Sequence, residues 1–189
     1  MLYYDEPRKE AIMNKRTKEK AVMPSKTLNA YRISMATNYH RVKEYLNTHD
    51  WHYSEPKGKG RDRRVLSGFI GSGKGLFRTF SFTLWVENDL VQSFSTLPFS
   101  IPEDKRIRAA EFIVRLNYVL KCGAFELDFS DGEVRYRVIR FGESLVHDCK
   151  SAMEYLLQFP VMMIKMHVDG FFDLVQTNKS VESLLKKYI

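Results

Sequence analysis

Cysteine is scarce in this 189-residue chain, which has two, Cys122 and Cys149. Two thiols are too few for the disulfide framework of small secreted domains, so stability must come from apolar burial. Long apolar runs are missing as well. The longest near the C-terminus, YLLQFPVMMI, is too short to span a bilayer and contains Gln158 and Pro160. The N-terminus, MLYYDEPRKEAIM, has no apolar h-region, so no signal peptide is expected. These absences point to a soluble, cytoplasmic protein. Hydrophobic residues at 44% and aromatics at 13% suffice for one sizeable core.

GFIGSGKG, residues 68–75, also lacks something. Gly68 and Gly73-Lys74 match all but the last position of the phosphate-binding pattern G-x-x-x-x-G-K-[ST], where Gly75 replaces the hydroxyl residue. A phosphate cradle also needs a helix N-terminus directly after the lysine, to supply free N–H groups and dipole. The residues after Gly75, LFRTFSFTLWV, alternate with a period of two and read as strand. The cluster is therefore predicted to be a β-hairpin tip, with Lys74 discouraging edge aggregation.

Other chemistry is equally thin. His49 and His52 form H-x-x-H without a carboxylate pair or cysteine to complete a metal set. His147, Asp148 and Cys149 are consecutive, so on a helix they diverge by about 100° each and cannot converge on one centre. Cys122 meeting His147 in space is the alternative pairing, set against burial of Cys122 as a small hydrophobe. No cofactor, metal or catalytic residue is expected.

Charge is concentrated. The net charge is +7; residues 1–26 hold seven Lys/Arg against four Asp/Glu, and KGKGRDRR at 57–64 holds five against one. Together these account for the whole excess. Residues 1–26 read as a mobile basic arm, and residues 27–189 as a single domain. Lys57, Lys59, Arg61, Arg63 and Arg64 would neutralise phosphates in a nucleic-acid complex. As solvated residues they would simply aid solubility.

Periodicity then orders the domain. Met35, Tyr39, Val42 and Leu46 share one face of a helix over 28–48, and Trp51 and Tyr53 in the turn after it are expected to cap the core. RVLSGFI, LFRTFSFTLWV and LVQSFSTL read as strands, the last two joined at Asn88-Asp89. Ser100 and Glu103 resemble a capping box before a helix that runs to Gly123. AFELDFS and EVRYRVI flank Asp131-Gly132, the favoured pair for a two-residue type I′ turn. That turn predicts Phe129 opposite Val134, Leu127 opposite Tyr136 and Phe125 opposite Val138, with Asp128–Arg135 and Glu126–Arg137 ion pairs on the other face. The final stretch is predicted as helix, broken or kinked near Pro160 and Gly170, followed by a short helix at SVESLLKKY. The expected fold class is α+β: an antiparallel sheet of about five strands, helices on one face, order α-β-β-β-α-β-β-α.

Residues 97–138, LPFSIPEDKRIRAAEFIVRLNYVLKCGAFELDFSDGEVRYRV, resemble the YbjN family of bacterial proteins, described as sensory-transduction regulators. The matching elements are Pro98 and Pro102, then RLNYVLKCGAFELD with Leu116, Asn117, Gly123 and Phe125, then DGEVRYR. The resemblance is looser over 35–96 and absent from 1–26. It implies a type III secretion chaperone-like fold, a homodimer, and a non-enzymatic module, regulatory or chaperone-like, that binds a partner protein segment. The motif residues then have structural roles: Gly123 releases helix into strand, Phe125 fills the core, and Asn117 bonds backbone near the turn. Exposed aromatics Trp85 and Phe94, on the strand face opposite Phe82 and Leu84, are the expected partner contacts. The methionine-rich C-terminal helices, with Met153, Met162, Met163 and Met166, suit core packing and an adaptable surface alike. Nucleic-acid binding through the arm and residues 57–64 is the alternative function.

Overall fold

A computed structural model describes residues 25–55, 64–71 and 77–188. In chain order the elements are α1 (Ser25–Thr48), β1 (Tyr53–Ser54), β2 (Arg64–Gly71), β3 (Thr79–Val86) and β4 (Leu90–Thr96). A 3-10 turn (Glu103–Lys105) leads into α2 (Arg106–Val119), then β5 (Ala124–Leu127) and β6 (Val134–Phe141). α3 (Gly142–His147), α4 (Cys149–Gln176) and α5 (Val181–Leu185) complete it. The fold is α+β, with one six-stranded antiparallel sheet ordered β1-β2-β3-β4-β6-β5. The sequence predicts five strands; the sixth, β1, has two residues, too few to leave a period. Of the arm expected at 1–26, Ser25 and Lys26 open α1 instead, and residues 1–24 lie outside the described residues.

Alternation along the strands sorts the two faces. Phe80, Phe82, Leu84 and Val86 of β3 are buried, as are Val134, Tyr136 and Val138 of β6. Over them lies α4, whose Met153, Leu157, Val161, Ile164 and Val168 are buried at helical spacing. Between those strands the inner face of β4 is small, with Ser93 opposite both Leu84 and Val138. No break occurs at Pro160 or Gly170: α4 passes through Pro160, which is buried, and Gly170, against which Tyr188 packs. The break falls earlier, at Asp148, which caps α4 by accepting a hydrogen bond from Ser151 N at 3.0 Å. Arg108 ties the far end, donating to the carbonyls of Leu174 at 3.0 Å and Thr177 at 2.8 Å.

The β5–β6 hairpin keeps the predicted faces but not the predicted register. Phe125 lies opposite Tyr136, Glu126 opposite Arg135 and Leu127 opposite Val134. The shift is two residues, and a period of two makes that slip silent in the apolar pattern. Loop chemistry decides it. Asp128 accepts from Ser130 N at 2.8 Å and from Ser130 Oγ at 2.6 Å, and Gly132 N donates to Asp128 O at 2.9 Å, so the loop closes around Asp128. Gly132 alone has positive φ, at 79°, and Asp131 does not, which excludes type I′. A Cβ on Gly132 would collide with the Ile101 carbonyl. The Ser100/Glu103 capping box is also absent: Pro102 caps the 3-10 turn with no side-chain hydrogen bond. α2 ends at Val119, so Gly123, at φ 71°, is the bend into β5 rather than the helix stop.

Two local features carry measurable stability. Asn117 pairs with the outer edge of β5 as a strand would: its Nδ2 donates to Phe125 O and its Oδ1 accepts from Phe125 N, both at 2.9 Å. Asn117→Ala leaves both backbone groups unpaired and should cost about 3 kcal/mol in denaturant unfolding. α1 ends in a Schellman turn, with Trp51 N donating to Leu46 O at 2.9 Å and Asp50 in the left-handed region at φ 55°. Asp50→Gly should relieve that conformation and add about 1 kcal/mol, a melting temperature rise of about 2–4 °C.

Candidate protein-interaction surfaces

Every helix with substantial sheet contact packs on the inner face, which leaves the outer face without a helix among the described residues. Trp85 and Phe94 sit at its centre, rings 4.4 Å apart and edge-on. The Arg135 guanidinium lies 4.5 Å from the Phe94 ring and 5.5 Å from Trp85. Phe94, expected as an exposed contact, is instead buried beneath them at 3% exposure, while Trp85 stays half-buried. Arg135 and Arg137 both hold Glu126, at 2.8 Å and 2.6 Å. Hydroxyl pairs, Ser67–Thr83 at 3.2 Å and Ser81–Thr96 at 2.7 Å, fill the space between.

Sequence reasoning missed a second surface, on α2. Ala109, Phe112, Ile113 and Leu116 face the core. About half a turn away, at spacings of seven and four, stand Ile107, Val114 and Tyr118, which are 76%, 69% and 91% exposed. Glu111 and Arg115 flank them as an i,i+4 ion pair at 2.9 Å. Beside the stripe a groove of about 600 Å³ runs between α2 and α5, lined mainly by Val114, Tyr118, Val119 and Leu185. The signal was present in the helix sequence as a second apolar stripe, hidden because either stripe alone satisfies amphipathic spacing.

A third surface is a trough of about 740 Å³ between α4 and the sheet edge at β2. Trp51, Ile70 and Gly71 form one wall; Glu154, Phe159 and Lys165 are among the α4 residues opposite.

The remaining predicted residues are scattered. Lys57, Lys59, Arg61 and Arg63 lie outside the described residues, and Arg64 begins β2 opposite Val86. Residues 72–76 of the glycine cluster lie outside too, but the chain enters it from β2 and leaves into the antiparallel β3. His49 stacks on Tyr45, with Nδ1 2.9 Å from the Tyr45 carbonyl, and His52 is exposed. Among the described residues no group of three His, Cys, Asp or Glu could hold a metal ion, and no helix is long and apolar enough to cross a membrane. Burial pushes the Cys149 thiol pKa up, the opposite of what a thiolate nucleophile needs. Cys122 is exposed. No family model, curated protein or solved structure matches the chain.

One buried group responds to pH. His167 is 4% exposed between the rings of Phe125 and Tyr188, and its Nδ1 donates to Met163 O at 2.7 Å. Burial pushes its pKa below the ordinary 6.5; the Met163 bond opposes this and Lys187 reinforces it. The unfolded chain therefore binds this proton more readily than the native one, and His167 destabilises the fold as pH falls below 6.5. Unfolding titrations between pH 7 and pH 5 should show a stability slope that His167→Gln reduces by up to about one proton.

Proposed function

We propose that this chain is a non-enzymatic protein-interaction module of YbjN type, regulatory or chaperone-like, that works as a homodimer and binds a segment of a partner protein. The observation that carries the reading is the apolar stripe on α2. Isolated exposed apolar residues are ordinary, but three in line on one helix, beside an apolar groove, mark an association surface. Its charges are self-complementary: antiparallel pairing of two copies of α2 about a two-fold axis brings Glu111 of each toward Arg115 of the other, and Ile107 toward Tyr118.

Sedimentation of the full chain tests this. A species of twice the 22.2 kDa chain mass is expected, and Val114→Glu should convert it to monomer without changing its circular dichroism. Val114 is 69% exposed, so the substitution does not disturb the core. A monomer at every concentration would overturn the dimer, as would a dimer indifferent to Val114→Glu.

A further inference from the structure

The two edges of the sheet are treated differently. At β5 the outward backbone of Phe125 is closed by the Asn117 amide. At the other edge β1 covers only Ser67 and Gly68, while β2 continues through Phe69 and Ile70 to Gly71. Along that stretch β2 pairs with β3 on one side and with no described strand on the other. The trough between this edge and α4 begins there. Ile70 forms its wall. Trp51 closes one corner edge-on to Phe82, and Met162, 43% exposed, supplies an adaptable apolar rim.

We propose that this trough takes an extended segment of a partner protein, added alongside β2 at Phe69–Gly71 with alternate apolar side chains directed into the trough. The proposal rests on the interaction-module reading and assigns it a binding site. An unpaired strand edge offers main-chain donors and acceptors that only another extended backbone can use fully, which selects a peptide over a compact ligand. Length and charge narrow the segment further. Glu154 and Lys165 lie on the α4 wall eleven residues apart, about 16 Å along the helix, which matches about five residues of extended chain. Their opposite charges favour a segment with a basic residue at the Glu154 end and an acidic residue at the Lys165 end.

The test uses the full chain carrying Trp85→Phe, which leaves Trp51 as the single tryptophan. The probes are short synthetic peptides of pattern Lys-Val-Thr-Val-Glu, their charge-reversed counterparts, and versions N-methylated on the backbone. Saturable change in Trp51 emission is expected, weaker for the reversed and N-methylated peptides. Met162→Glu, at the exposed rim of the trough, should weaken binding at least about ten-fold at unchanged melting temperature. No saturable change with any peptide, or equal binding to Met162→Glu, overturns the site. A fall in sedimenting mass on Met162→Glu would mean that a second copy occupies the trough, and would overturn it too. Dimerisation that depends on Val114 while peptides fail would leave the module reading standing without this site; peptide binding by a monomer would uphold the site and overturn only the dimer.

Discussion

Burial of the inner face of β3, β4 and β6 under α4 is the constraint on which the rest of the molecule depends. The helix is 28 residues long, and its interior face is apolar from Ala152 to Leu174 apart from His167. Its weight in the fold explains why Pro160 is tolerated inside it. A proline there forfeits a backbone hydrogen bond and costs about 3 kcal/mol, which the burial of a continuous apolar stripe exceeds. α2 and α5 pack around the same core: Phe112 meets Phe171 at 5.0 Å, and Tyr188 meets His167 at 4.7 Å. With all helices on one side, the outer face has to manage its own apolar content, and it does so by laying Arg135 across Phe94 and Trp85.

The same asymmetry distributes the surfaces available for association. α2 needs one stripe to reach the core through Phe112 and Leu116, so its second stripe has nothing among the described residues to bury against. α4 diverges from the sheet toward β2, and the gap is the trough walled by Trp51 and Ile70. Each surface thus arises where packing on the inner face runs out.

Much of this was legible in the chain. The period of two along residues 80–86 located β3 and its buried face, and Asn117 was correctly placed near the turn into β5. The β5–β6 ion-pair face was legible, but its register was not: a two-residue shift leaves every apolar and charged position on its proper side, so the pattern cannot distinguish the two. The choice lies in the Asx bonds of Asp128 and in the close approach of Gly132 to Ile101, a contact across 31 positions of sequence. Capping at Ser100 failed for a related reason. The motif is common wherever a hydroxyl precedes an acid, while Pro102 has already fixed the backbone at the start of the turn.

The sequence by itself determined the class of the fold and the faces of its strands and helices, because these depend on local periodicity and backbone preference. Only the tertiary structure decided which apolar residues stay exposed. Phe94 and Tyr118 are both large aromatics on amphipathic elements, yet one is 3% exposed and the other 91%. The difference is what lies across from each, a guanidinium and an indole over Phe94 and none of the chain's own core behind Tyr118. That is a matter of how elements distant in sequence meet, which no local pattern encodes.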